Sequence, residues 1–134
     1  MKVVRRESLP IRSSGDVVMA RQKVRQWAAD MQFTLVDQTK LVTAASELAR
    51  NTLDHGKGGQ MQIEQVDNLS RGGLKLIFED HGPGIPDINA ALKDGFTTGN
   101  GMGLGLGGSK RLVSDFEIQS EPGKGTRITV VRWK

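Results

Sequence analysis

The chain contains no cysteine and no tyrosine, and aromatic residues make up only 4% of it. Without cysteine, disulfides and thiolate metal sites are excluded, and a reducing compartment suits the protein. The N-terminal stretch MKVVRRESLPIRSSGD holds no apolar run long enough for a signal peptide or a membrane span. A cytoplasmic location with no membrane partner is therefore expected. No loop of the form G-x-x-x-x-G-K-[S/T] occurs, which argues against a P-loop enzyme. Repeats are absent. Lys2, Arg5, Arg6, Arg12, Arg21, Lys23 and Arg25 face only Glu7 and Asp16 early in the chain, and no aromatic side chain interleaves with them. A solvated basic face is the better account of that segment, and no nucleic-acid partner is expected. The net charge of +4 gives a mild positive field that suits an anionic ligand or an acidic partner.

What is present fits one domain spanning residues 1–134, with 37% hydrophobic and 25% charged residues. KVVRRESLPI can form a short N-terminal strand. Val17, Ala20, Val24, Trp27, Ala28 and Met31 fall on one helical stripe, with Asp16 as the expected N-cap. Asp37 is the expected cap of a second helix that Gly56 stops, with Leu41, Ala44, Ala45, Leu48, Ala49 and Thr52 as its buried stripe. Residues 60–66 alternate as a half-buried strand, and LKLIFED makes the next. INAALKDGF predicts a short helix, SKRLVSDF another, and EIQSEPGKGTRITVVRW two strands around a Pro-Gly turn. Hairpins rather than βαβ crossovers imply a two-layer α/β sandwich: a mixed, mostly antiparallel sheet with helices on one face.

The glycine run GNGMGLGLGG puts six glycines into residues 99–108. Gly103, Gly105 and Gly108 formally satisfy G-x-G-x-x-G, but that fingerprint needs a preceding strand and a parallel crossover, and DGFTTGN is no strand. A flexible linker is also a poor fit, because Met102, Leu104 and Leu106 alternate with the glycines and a helical segment follows. Bare backbone leading into a helix exposes N–H groups that suit phosphate oxygens.

Three other stretches bear on this. SELARNTLDHG spaces Glu47, Asn51 and His55 four residues apart, along one side of a helix. Such a triplet can be a plain polar face. An Asn carbonyl can equally ligate Mg²⁺ whose other sites are filled by phosphates and water, with a nearby Glu orienting a hydroxyl. In EDHGPGI, Asp80 stands where a strand breaks, with Gly82 and Gly84 clearing space. It can accept from an exocyclic amine or simply begin a turn. GKGT at 123–126 is a hairpin turn whose Thr126 can face the same cleft.

Together, ELARNTLDH, DHGPG, GMGLGL and GKGT resemble, in order and spacing, the N box and three glycine boxes of the GHKL superfamily, the Bergerat fold of gyrase, Hsp90, histidine kinases and MutL. The resemblance covers residue 15 to the end. From the 134 residues, neither a dimerising phospho-acceptor helix pair nor a transducer domain is expected. With Glu47 four residues before Asn51, the sequence is similar to the anti-sigma regulatory serine/threonine kinases of bacterial partner-switching modules, and among them to the stressosome-associated switch kinases of the general stress response.

That resemblance implies ATP and Mg²⁺ as cofactors. Asn51 would be the metal ligand, and Asp80 would bind the adenine amine with Thr126 assisting. Gly82 and Gly84 would line the adenine pocket, residues 85–100 would form the lid, and Gly101, Gly103 and Gly105 would offer N–H groups to phosphates. Glu47 would be the catalytic carboxylate. TTGNGMG carries no basic residue, so phosphate charge falls to Thr97, Thr98 and backbone, or to Lys110 and Arg111 beyond the loop. Arg50 is open to a γ-phosphate, partner or structural role, and His55 to closing the helix. The resemblance implies a protein kinase acting on a STAS-domain antagonist or scaffold, with a PP2C-type phosphatase as a further partner. The alternative is an anti-sigma factor that sequesters a sigma factor under ATP control.

Overall fold

The computed structural model describes residues 1–92 and 105–134. The expected phosphate-contact residues Thr97, Thr98, Gly101 and Gly103 lie outside the described residues. The order of elements is β1 (Lys2–Ile11), α1 (Ser14–Asp30), α2 (Leu35–Asp54), β2 (Gly59–Asn68), β3 (Arg71–Asp80), α3 (Ile88–Ala91), α4 (Gly105–Arg111), β4 (Asp115–Glu121) and β5 (Gly125–Trp133). The strands form one sheet in the order β1-β2-β3-β5-β4, every pairing antiparallel. This is the two-layer architecture expected.

Alternation along the strands sends Met61, Ile63, Leu74, Leu76, Phe78, Ile128 and Val130 to one face, where they are buried against the helices. Helix α1 contributes Val17, Ala20, Val24, Trp27 and Ala28, and α2 contributes Leu41, Ala45, Leu48 and Ala49. These are the stripes read from the 3.6-residue period. Arg5, on the same sheet face, stacks its guanidinium 3.9 Å from the Trp27 ring centroid. Arg132 donates to Asp37 Oδ1 at 2.6 Å and to the Leu112 carbonyl at 3.2 Å, tying β5 to the start of α2 and the end of α4.

Both helix starts lie earlier than expected. Ser13 caps α1 and accepts from the Asp16 N–H, while Asp16 Oδ2 takes the Arg12 N–H at 2.9 Å, a reciprocal arrangement that puts Asp16 in the first turn. Thr34 caps α2 in the same way, with Asp37 as donor. At the other end of the chain, α4 stops at Arg111, because Ser114 and Asp115 turn into β4 instead of continuing a helix: Ser114 donates its N–H to the Val131 carbonyl of β5. Among the described residues α3 is a single turn, and no helix is long and apolar enough to cross a membrane.

Candidate functional site

Register places the site. Because Leu74, Leu76 and Phe78 face the helices, so does Asp80 at the end of β3. Its pairing partners are Gly59 on β2 and Thr126 on β5, and Thr126 pairs in turn with Ser120 on β4. Asp80, Thr126 and Ser120 therefore form one row across the helix-facing side of the sheet.

Two backbone donors hold the Asp80 carboxylate. Its Oδ1 accepts from the Gly82 N–H at 3.0 Å and the Thr126 N–H at 3.2 Å. Oδ2 lies beside the Cα of Gly56, where a Cβ would overlap the carboxylate carbon and oxygen. Gly82 packs on Gly56 as well, since a Cβ there would lie 2.7 Å from the Gly56 Cα. A side chain at Gly56 would meet the carboxylate and one at Gly82 the Gly56 backbone, so neither position has room for a Cβ. Gly56 follows directly on α2, and the Asn51 carbonyl accepts both the His55 and Gly56 N–H groups at 3.0 and 3.2 Å. The C-terminal end of α2 is thus fixed over Asp80.

The loop after Asp80 is stitched to the β4–β5 hairpin. Ser120 Oγ accepts the Ile85 N–H at 2.8 Å, and the Pro83 carbonyl accepts the Gly123 N–H at 2.8 Å. Gly84 has φ +81° with its Cα against the Glu121 carbonyl, a conformation and a contact that exclude a side chain. An open cleft of about 580 Å³ is bordered by Asp80, Ile88, Ile118, Ser120, Lys124 and Thr126, among others. Its lining combines the carboxylates of Glu79, Asp80 and Glu121 with the hydroxyls of Ser120 and Thr126 and the apolar Ile88 and Ile118, a mixture that suits a polar heteroaromatic ligand.

On α2, Glu47 and Asn51 are half-buried and His55 is exposed. The structure brings the Asn51 end of that helix to Asp80 through Gly56. Arg50 turns away, donating to Ser14 Oγ at 3.3 Å near the start of α1, which is a structural contact. Gly105 opens α4 at φ +69°, whereas Lys110 and Arg111 occupy its last turn. At 1.5 Å per residue Lys110 stands about 8 Å along the axis from Gly105, so the two ends are not gathered in one place. Among the described residues no group of three or more His, Asp or Glu side chains is disposed to hold a metal. A cation here would depend on Asn51 and on oxygens supplied by its ligand, which is how Mg²⁺ binds with phosphates.

Sequence reasoning gave Gly56 only the role of a helix stop and gave Ser120 none. The signal for Ser120 was its place six residues before Thr126 across a Pro-Gly hairpin, which sets the two opposite each other.

A family model described as histidine kinase-, DNA gyrase B- and HSP90-like ATPase matches residues 36–134. The chain belongs to that ATPase family. It is 47% identical over 123 residues to the serine/threonine-protein kinase RsbT of Bacillus subtilis (strain 168), covering 92% of each chain. Within the family it falls with the serine/threonine protein kinases. It is also 30% identical over 119 residues to the anti-sigma F factor of Thermoanaerobacter sp. (strain X514), covering 85% of this chain and 82% of that one. Among solved structures, the RsbU and RsbW domains of a Mycobacterium tuberculosis protein share the fold with a TM-score of 0.62 at 20% identity, over 96% of this chain and 31% of that longer one.

Proposed function

We propose that the protein is the kinase of a bacterial partner-switching module, a single domain that passes the γ-phosphoryl group of ATP to a serine or threonine of a STAS-domain antagonist or scaffold protein. The observation that carries this is the Asp80 carboxylate, held by the Gly82 and Thr126 N–H groups beneath the end of the helix that bears Glu47 and Asn51. In this reading Asp80 Oδ2 accepts from the adenine amine, Thr126 assists, and Gly82 and Gly84 leave room for the ring. Asn51 would hold Mg²⁺ through its side-chain amide oxygen, and the bound cation would offset phosphate charge. Gly101, Gly103 and Gly105 would offer backbone N–H groups to the phosphates, with Thr97, Thr98, Lys110 and Arg111 as further candidate contacts.

Phosphoryl transfer asks for alignment and charge neutralisation. Glu47 orients the incoming hydroxyl and takes its proton as the hydroxyl oxygen bonds to the γ-phosphorus. The bond to the β,γ-bridging oxygen breaks and ADP leaves. A PP2C-type phosphatase fits as the partner met after release from the antagonist, in the cytoplasm. The second reading, an anti-sigma factor that binds a sigma factor under ATP control, is favoured by the 30% identity to an anti-sigma F factor over most of the chain.

The test is incubation with γ-labelled ATP and a STAS-domain partner. Label should pass to the partner with the wild-type protein, and Glu47→Ala should still bind ATP within about threefold while losing at least about a hundredfold in transfer, the scale of one positioned acid–base group. Transfer at wild-type rate by Glu47→Ala would remove Glu47 from the chemistry. No transfer by the wild type, with a sigma factor retained in its place, would favour the second reading.

A further inference from the structure

The exposed large apolar side chains gather at the end of the fold opposite Asp80. Among the described residues Met1, Val3, Val4, Leu35, Val36 and Leu69 are exposed there, against Val18 and Met19 elsewhere. At that end β1 begins, the β2–β3 hairpin turns, and α1 gives way to α2. Gly72, three residues after Leu69, lies against Met31, four residues before Leu35, since a Cβ on it would be 3.9 Å from Met31 Cε. Leu69 is the residue least suited to its place. Asn68 pairs with Arg71, so Leu69 and Ser70 make a two-residue hairpin loop. Leu69 has φ +56° and is fully exposed. Gly, Asn or Asp favours such a position, where the Cβ of a leucine is strained. This leucine breaks the turn rule and buries nothing within the fold, which marks it as a residue kept for an outside contact.

Charge and distance say what fits there. Lys40 is exposed one turn beyond Val36 on the same side of α2, and Arg71 follows Leu69 by two residues with its guanidinium 5.1 Å from the Trp133 ring centroid. Among the described residues neither has a carboxylate partner. The acids of this end are engaged: Asp30 with Arg5, Asp37 with Arg132, and Asp67 opposite Lys2 in the β1–β2 register. The surface is thus apolar with a basic rim, complementary to an apolar pocket edged by carboxylates. A second copy docked face to face would set these cations against like charges. The whole of β3, about 30 Å, separates Arg71 from Asp80, and Leu35 stands about 24 Å along α2 from Asn51. A phosphoryl acceptor has to bring its hydroxyl to the cleft, so its footprint belongs at the other end. We propose that the Leu69 hairpin and the Leu35–Val36 start of α2 form a docking surface for the acidic-rimmed apolar face of the phosphatase partner, occupied while the nucleotide cleft stays open. This rests on the partner-switching reading above.

The experiment titrates a purified PP2C-type phosphatase of the same bacterium by calorimetry into the wild type, Leu69→Gly, Leu69→Asn, Lys40→Glu and the control Met19→Ser, and measures transfer from γ-labelled ATP to the STAS-domain partner for each. Leu69→Gly and Leu69→Asn should each weaken phosphatase binding about tenfold or more, the worth of one buried leucine side chain. Both suit the left-handed position, so their urea midpoints should rise as the affinity falls, which separates a lost contact from a damaged fold. Lys40→Glu should weaken binding about threefold or more and flatten its dependence on salt. Met19→Ser should bind as the wild type does, and transfer to the STAS-domain partner should stay within about twofold throughout. Unchanged phosphatase affinity in both Leu69 variants, an equal loss in Met19→Ser, or a parallel loss of transfer would overturn the proposal. A wild-type dimer in sedimentation that Leu69→Asn dissociates would overturn the phosphatase as occupant. A wild type that phosphorylates the STAS-domain partner but binds no phosphatase overturns the docking surface and leaves the kinase reading standing. One that does neither overturns both.

Discussion

Replacing Gly56 by alanine adds one methyl group at the point where α2 meets Asp80, and its effect can be worked from the contacts there. The new Cβ would overlap the Asp80 Cβ, Cγ and Oδ2 together, so no small shift of one atom relieves it. Gly82 also packs closely on Gly56, where a Cβ at Gly82 would lie 2.7 Å from the Gly56 Cα. The carboxylate must rotate, and rotation breaks the Oδ1 bonds from the Gly82 and Thr126 N–H groups at 3.0 and 3.2 Å. Hydrogen bonds to a charged acceptor contribute about 1.5–3 kcal/mol each. Losing the orientation of one or both should cost about 2–4 kcal/mol in ATP binding, roughly a 30- to 700-fold rise in Kd. Stability should fall by about 1–3 kcal/mol, as for other overpacked sites. The assay is calorimetric titration with Mg-ATP alongside denaturant unfolding of the same samples. Gly123→Ala is the control: nothing lies within 4 Å of a Cβ at that hairpin tip, although its φ of +77° adds strain of about 1 kcal/mol. Wild-type ATP affinity in Gly56→Ala, or an equal loss in Gly123→Ala, would refute the reasoning.

Asp80→Asn keeps an acceptor for the two N–H groups but no longer offers an anionic oxygen, so ATP affinity should drop about tenfold or more while the melting temperature moves little. Arg132→Ala removes the link from β5 to Asp37 and to the Leu112 carbonyl. It should cost about 2 kcal/mol in unfolding free energy, a value between exposed and buried pairs. Asp37→Ala should cost a similar amount and the double variant little more, which a double-mutant cycle in urea would check. Ser13→Ala deletes the α1 cap and should destabilise the protein by about 1 kcal/mol with ATP binding unchanged, read from the same urea curves.

The helices and strands were legible because their periods are clean. The Leu41 to Thr52 stripe and the alternation in β2 and β3 came through intact, since one face of each is buried in a single core. Helix starts were misplaced by three residues because Ser13 and Asp16, and likewise Thr34 and Asp37, are both good capping residues, and only geometry shows which accepts and which donates. SKRLVSDF was read as helix to its end, but the pairing of Ser114 and Phe116 with β5 overrides local propensity there. At the site, Asp80 could be picked out by its place at a strand end between glycines. Gly56 and Ser120 could not, because their importance lies in contacts with residues 24 and 6 positions away that depend on sheet register and on how α2 ends.

The most direct measurement is a titration of the ¹⁵N-labelled protein with Mg-ATP, following backbone amide shifts. The expected result is saturable change at Gly82 and Thr126, the two N–H groups that hold Asp80, and at Gly56 beside it, with little change along β1. Shifts confined to the basic β1 and α1 segment, with Gly82, Thr126 and Gly56 unmoved at saturation, would contradict an ATP site built on Asp80.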